Sequence, residues 1–597
     1  MSWLLPLLVA VPLLGAALTA ATDHVLPRHV KDLIGIAAAG TTCAFGILVM
    51  LRSEQGDVVH WFGGWHPHGG VALGIDFVAD PLSAALAALV GGIVLVALVF
   101  SWAYLEEAAL LFDTLMLVCC AAMCGFALSG DLFNMFVWLE LMGVAAYALT
   151  GFEVKEIGPL QGAVNFAIVN GIGGYLIVIG IALAYARTGA LNLAQIGVTL
   201  TTGGGRGLVV VAMTLVVCGF LCKAAVVPFH LWLADAYAVA PAPVCAVFAA
   251  VMTDIGLLGV ARVYWTVFSH PFAAHAPAVG DVLLALGIAT ALLGGVMAFL
   301  QRHLKRMLAY SVTCHIGIML AGIGLLVPAG LAGTADLLLA HALLVAGLFL
   351  ATGVLLALLR SVDELQLYGK GRRVRWLAAL WFGAALGLAG PPYVGVWAGH
   401  ALIDEAASGR PWIPPLLWIA GALASASLLR AGVRVFLGRG AERDPLLSPE
   451  MREQPPGRGT RLAILAPATA VTVVLGLLVS VVPGLTQRTE EAAARFSDRA
   501  AYASLVLRGA AAPHTAPLPF ALEPTSLESV LYGIGAVLLA AALAAFGLVR
   551  PQLGGIPLLV APARAVKAVH SGVIGDYVMW LTVGTAAIGG IWAVALR

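Results

Sequence analysis

Apolar runs of membrane-spanning length follow one another along this chain, separated by short polar breaks. Reading stretches of about twenty apolar residues places spans near 2–21, 31–51, 79–104, 108–130, 131–152, 159–187, 207–237 and 242–268. A second series falls near 278–299, 307–327, 330–359, 376–407, 411–437, 461–484, 529–549 and 572–595, about sixteen spans in all. The pattern predicts an all-α polytopic membrane protein. Residues 2–21 have no Lys or Arg ahead of their apolar core and a further span soon after, so they read as a retained first helix rather than a cleaved signal.

The basic residues keep step with this count. Arg28 and Lys31, Lys155, Arg302, Lys305 and Arg306 fall in odd-numbered connections. Arg360, the Lys370–Arg375 group, the Arg439–Arg461 stretch, Arg550, Arg564 and Lys567 do the same. The short even-numbered connections hold little beyond Arg52, Arg187, Arg206 and Arg410. By the positive-inside rule both termini lie on the external side of the cytoplasmic membrane.

Two stretches do not read as membrane. Residues 52–76 form a Gly- and His-rich external loop; its His60, His66 and His68 read as a solvated group, not a metal site. Residues 485–528 open with a polar helix-like piece, "TQRTEEAAARFSDRAAYASLVL", and end in a Pro-rich linker, a candidate docking surface for a neighbouring subunit. The organisation expected is therefore N-terminal helices and loop (1–107), a first unit (108–268), a second unit (278–437), and C-terminal helices carrying the insertion (438–597).

Composition narrows the function. Of 597 residues 61% are hydrophobic and 11% charged, with net charge +1, and the mean hydropathy is +0.99. That balance gives no sign of a nucleic-acid partner. The eight cysteines (Cys43, Cys119, Cys120, Cys124, Cys218, Cys222, Cys245, Cys314) sit in apolar segments without CxxC or Cys/His spacing. No cofactor and no metal is expected. "TTGGGRG" (201–207) lacks the GK[ST] ending of a phosphate loop. "NGIGGYL" (170–176) lies inside a span, where glycines let helices approach closely.

The informative residues are polar ones where lipid is expected. A charge in a bilayer-buried helix is costly and normally faces the bundle interior, where it pairs or carries ions. Glu140, Lys223, Asp254, His315 and His400 are such residues, with His341 a weaker sixth. Pro228, one turn beyond Lys223, removes a backbone donor and interrupts that helix. "GPP" (390–392) interrupts a second span about two turns before His400. Paired broken helices point to inverted repeats with an ion site between them. A lysine whose carboxylate partner comes and goes is a switchable proton carrier, and histidine suits the same work. Against this stands a structural reading: a buried Lys223–Glu140 ion pair and hydrogen-bonded core histidines.

Four motifs, "DLFNMFVWLELM", "KAAVVPFHLWLADAYAVAPAPV", "LKRMLAYSVTCHIG" and "GPPYVGVWAGH", together resemble the antiporter-like subunits of respiratory complex I, group 4 membrane-bound hydrogenases and Mrp-type cation/proton antiporters. The resemblance covers roughly residues 75–440. The core looks most like the Mrp D subunit, and "HSGVIGDYVMWLTVG" (570–584) looks like the end of the largest complex I antiporter-like subunit.

The resemblance implies two inverted five-helix repeats, each with one broken helix, and a mid-membrane line of titratable groups. Glu140 falls on the family's carboxylate, Lys223 on its broken-helix lysine and expected partner, and His315 and His341 on its histidines. Two positions depart: Asp254 stands where many relatives carry a second lysine, and His400 where they carry Lys or Glu. An Asp there reverses the sign of the central relay, either drawing Lys223 from Glu140 or binding a cation itself. The implied function is a proton- or Na⁺-translocating, non-redox subunit of a cation-translocating oxidoreductase or antiporter. Its partners are other membrane subunits of a prokaryotic complex, lipid, and H⁺ or Na⁺. The alternative is a passive membrane scaffold for a partner oxidoreductase or bicarbonate-concentrating protein, with its ion path inactive.

Overall fold

The computed structural model of the chain describes residues 2–22, 24–105, 111–153, 156–200, 206–440, 462–509, 526–549 and 572–596. Glu106, Glu107, Lys155, most of "TTGGGRG", residues 441–461, the Pro-rich linker, and Arg550, Arg564 and Lys567 lie outside the described residues.

Three helices, α1 (Leu4–Ala21), α2 (Arg28–Ser53) and α3 (Pro81–Tyr104), open the chain. Next come α4 (Phe112–Leu128), α5 (Leu132–Thr150), α6 (Ile157–Thr188) and the short α7 (Leu193–Thr199). An interrupted pair, α8 (Arg206–Lys223) and α9 (Leu231–Val239), precedes α10, which runs Ala242–Phe268. The second series is α11 (Ala276–Leu300), α12 (Leu304–Gly324) and α13 (Pro328–Leu359), then the interrupted α14 (Arg375–Ala389) and α15 (Trp397–Ala406). It closes with α16 (Ile413–Leu437). Beyond it lie α17 (Leu462–Leu478), α18 (Leu485–Ser497), α19 (Arg499–Arg508), α20 (Leu527–Val549) and α21 (Ile574–Ala595).

Among the described residues fourteen helices are long and apolar enough to cross a membrane, and the shorter apolar α4 and α14 complete the series expected from sequence. Helices serve here because each satisfies its own backbone in a medium that offers no hydrogen bonds. The two series, α4–α10 and α11–α16, each cross five times, counting each broken pair once. An odd number of crossings starts the second series on the opposite side from the first, which inverts it.

Both breaks are built structures. At the first, the residues after Lys223 turn through Ala225 at φ 54°. The Cys222 carbonyl accepts from Trp232 Nε1 (3.1 Å), and the Val227 N–H donates to the Thr290 hydroxyl of α11 (3.1 Å). At the second, Gly390, Tyr393 and Gly395 all have positive φ. There the Ser480 hydroxyl donates to the Gly395 carbonyl (2.6 Å) and accepts from the Ala398 N–H (3.2 Å).

Two features differ from the sequence reading. The 52–76 loop frames a β-hairpin, β1 (Val58–Trp61) paired antiparallel with β2 (Asp76–Ala79). The insertion folds into α18 and α19, split where the Asp498 carboxylate caps the Ala501 N–H. Both lie on the hairpin face of the chain itself: Arg495 donates to the Ser53 and Glu54 carbonyls and Arg499 to that of Gly197.

Candidate functional site

Glu140, half-buried on α5, is placed by a glycine. A Cβ at Gly174 of α6 would stand 2.1 Å from the Glu140 carboxylate, so the bare glycine leaves the space that this carboxylate fills. Its neighbour Gly173 packs on Cys222, beside Lys223. The glycine pair of "NGIGGYL" thus seats α6 against both charged helices.

Lys223 ends α8 with 3% of its surface exposed. Its Nζ lies 5.3 Å from the ring centroid of Phe166, and that ring stacks on Trp232 at 4.2 Å. The two charges are within electrostatic reach, yet among the described residues no N···O contact within 4.0 Å joins them. The aromatic face holds the ammonium in their place.

Asp254 is fully buried in α10, just beyond the π-helical Phe248–Met252, a distortion frequent at functional positions. Neither of its carboxylate oxygens has a hydrogen-bond partner, and neither has the Tyr237 hydroxyl of α9. Asp254 therefore makes no direct bond to any of the other five residues.

The three histidines form a cluster. His315 of α12 and His341 of α13 stack at 4.8 Å between ring centroids. His315 Nδ1 lies 2.8 Å from the Ser311 carbonyl, which places the proton on Nδ1. His315 Nε2, both nitrogens of His341 and His400 Nδ1 are buried without partners. His400, on α15 directly after the second break, stacks on Trp418 at 4.2 Å. Trp418 Nε1 in turn donates to Asp404 Oδ2 (2.8 Å).

Asp404 is a residue the sequence reading passed over. Its signal was present: a carboxylate four residues after His400 lies on the same helix face.

The contrast with other buried charges is informative. Arg262 pairs with Asp80, Arg434 and Arg430 share Glu364, and Arg306 holds Asp235 (2.9 Å). Those charges brace helix ends. Asp254, both His341 nitrogens, His315 Nε2 and His400 Nδ1 carry the burial cost with no protein partner, and such groups need water or exchangeable protons. Among the described residues no group of three or more His, Cys, Asp or Glu is arranged to hold a metal ion.

Two interrupted helices in inverted series, each ending beside buried titratable groups, define an antiporter-like membrane protein. Residues 129–426 match the family described as NADH:quinone oxidoreductase/Mrp antiporter, transmembrane, and the chain belongs to that family. It is 31% identical to the N subunit of the NADH-quinone oxidoreductase of Desulforudis audaxviator, over 74% of this chain and 88% of that one. It is 29% identical to the D subunit of the Na(+)/H(+) antiporter of Bacillus subtilis, over 72% and 85%. A chain in the structure of the Mrp complex from Dietzia sp. DQ12-45-1b superimposes with a TM-score of 0.73 at 29% identity, covering 85% of this chain and all of that one.

Proposed function

We propose that this chain moves protons, or Na⁺, within a larger complex of the bacterial or archaeal cytoplasmic membrane. Glu140, Lys223, Asp254, His341, His315 and His400 form the path. The observation that carries the reading is the set of unpartnered buried polar atoms beside the breaks, on Asp254, Tyr237 and the three histidines. Water entering at the breaks supplies the missing partners, and a hydrated line of titratable groups is a proton conductor. Residues 108–268 and 278–437 act as half-channels. A neighbouring subunit's redox chemistry or cation exchange shifts Lys223 between Phe166 and Glu140, and that charge displacement drives the relay. Both termini face outward, in keeping with the basic connections of the sequence.

The test is ion flux in vesicles containing the assembled complex, comparing wild type with Glu140→Gln and Lys223→Ala. Loss of flux with normal assembly is expected; full flux in both variants refutes the path. The scaffold reading rests on the departure at Asp254. Asp254→Lys separates the two: an adapted pump is impaired, whereas a scaffold gains transport or is unchanged.

A further inference from the structure

The path described above stops at His400, which is 1% exposed. Four residues nearer the C-terminal end of α15, on the same helix face, stands Asp404. The rise between them is about 6 Å along the helix axis. Asp404 is 8% exposed, so it is nearer the surface than His400 but still enclosed. A ring also joins the two. His400 stacks on Trp418 of α16 at 4.2 Å between ring centroids, and Trp418 Nε1 donates to Asp404 Oδ2 (2.8 Å). Asp404 Oδ1 remains buried and unpartnered, as does His400 Nδ1.

Asp404 has no counter-charge. Among the described residues no basic side chain lies within 4.0 Å of it, and Arg410, just past α15, pairs with Asp281 instead (2.7 Å). The charged group that faces it is Glu528, on the first turn of α20. That turn is held against α15 by the Ser529 carbonyl, which accepts from Trp397 Nε1 (3.3 Å). Glu528 is exposed and accepts from the Tyr532 hydroxyl (3.0 Å). Burial therefore falls stepwise from His400 through Asp404 to Glu528. A buried carboxylate braced by arginine, as at Asp80, keeps its charge. One with no cation and an unpartnered oxygen takes up and gives up a proton more readily.

We infer that Asp404 is the outlet of the path: it takes each proton from His400 and releases it at the surface beside Glu528, the outward side in the orientation proposed above. The inference rests on that ion path, with H⁺ as the ion moved. The imidazolium of His400 gives one N–H proton to the Asp404 carboxylate and is left as neutral imidazole. The neutral Asp404 carboxyl then gives the proton to water and becomes a carboxylate again. Oδ1 serves this exchange while Oδ2 keeps its bond to the Trp418 indole.

Proton flux in vesicles containing the assembled complex tests this, with wild type beside Asp404→Asn, Asp404→Glu and Trp418→Phe. Asparagine matches the shape and still offers an oxygen to the indole, but it has no acid proton to pass on. Flux is expected to fall about tenfold or more in Asp404→Asn and to be partly kept in Asp404→Glu. A carboxylate that merely held Trp418 would give the reverse order, because asparagine is the better fit. Flux in Asp404→Asn equal to or above that in Asp404→Glu therefore overturns the inference. Trp418→Phe removes the indole bond but keeps the carboxyl, and its loss is expected to be the smaller one. A loss there as deep as in Asp404→Asn also overturns the inference, and this variant keeps the question answerable where Asp404→Asn fails to assemble. Glu140→Gln in the same vesicles separates the two readings. If it keeps full flux, the path and its outlet both fall; if it loses flux while Asp404→Asn keeps it, the outlet alone falls.

Discussion

Gly174→Ala isolates the position of Glu140 from the stability of the bundle. The new Cβ would lie 2.1 Å from one carboxylate oxygen of Glu140 and 3.0 Å from its Cδ. The clash involves the far end of a flexible side chain, so the carboxylate swings away by more than an ångström while the helices stay put. Forcing that side chain off its rotamer costs about 0.5–1.5 kcal/mol. Replacing a mid-helix glycine by alanine returns roughly 1 kcal/mol. The two nearly cancel, and Tm shifts by no more than about 2–4 °C. Ion movement responds differently, because displacing a reacting group by about 1 Å lowers rates on the order of tenfold to a hundredfold. Gly171→Ala is the control: the same helix and the same substitution, with nothing within 4 Å of the added Cβ. Thermal unfolding and vesicle flux are measured on both variants. Equal flux in Gly174→Ala and Gly171→Ala refutes the claim that this contact sets the carboxylate for its task.

Arg262→Met strands Asp80 as a buried charge, since the pair is almost wholly enclosed. Denaturant unfolding is expected to show a loss of about 3–5 kcal/mol, part of which Asp80→Asn restores in the double variant. Ser480→Ala removes the hydroxyl bonded to Gly395 and Ala398, costing about 1–3 kcal/mol in the same assay. The Glu490 carboxyl is raised from 4.5 to about 7, so the fold favours its protonated form. That contribution is complete below pH 4.5 and is lost as pH rises through 7. Unfolding scans across this pH range should show this fall in wild type and a flatter profile in Glu490→Gln.

The bilayer makes the spans legible, because it demands twenty-odd apolar residues in a row whatever their neighbours are. Pro228 and the Gly390-Pro391-Pro392 run mark the breaks for a purely local reason, the missing donors and restricted φ. Lys223 over Phe166 was not legible: it depends on Gly173 and Gly174 admitting α6 between two helices remote in sequence. The β-hairpin escaped for a similar reason, since Val58–Trp61 meets Asp76–Ala79 across a long connection without a hairpin turn signal. Asp336 and Asp404 lie toward the ends of their spans, where a carboxylate is ordinary. Only the packing of α18, α13 and α15 shows that both are enclosed.

Helices beyond the family's common region meet both breaks. Residues 129–426 contain both interrupted helices, and each break also takes contacts from helices beyond them. The first is closed from outside by α21: Gly584 is pressed so closely to Pro228 that a Cβ would stand 2.4 Å from its ring. Tyr577 of the same helix donates to Asp235 (2.6 Å), on the far half of the broken helix. The second is completed by the end of the α17 segment, whose Leu477 carbonyl accepts from the Gly395 N–H (3.1 Å) and whose Ser480 bonds Gly395 and Ala398. α20 adds the Ser529 carbonyl, an acceptor for Trp397 Nε1 (3.3 Å). Freed backbone groups at membrane depth need partners; at the second break they come from the α17 segment, whereas at the first α21 adds packing and a side-chain bond. A break sealed within its own repeat would be rigid, whereas one completed by a separate helix is free to open as that helix shifts. On the proposed function, the C-terminal helices are thus placed to couple a neighbouring subunit to the two breaks.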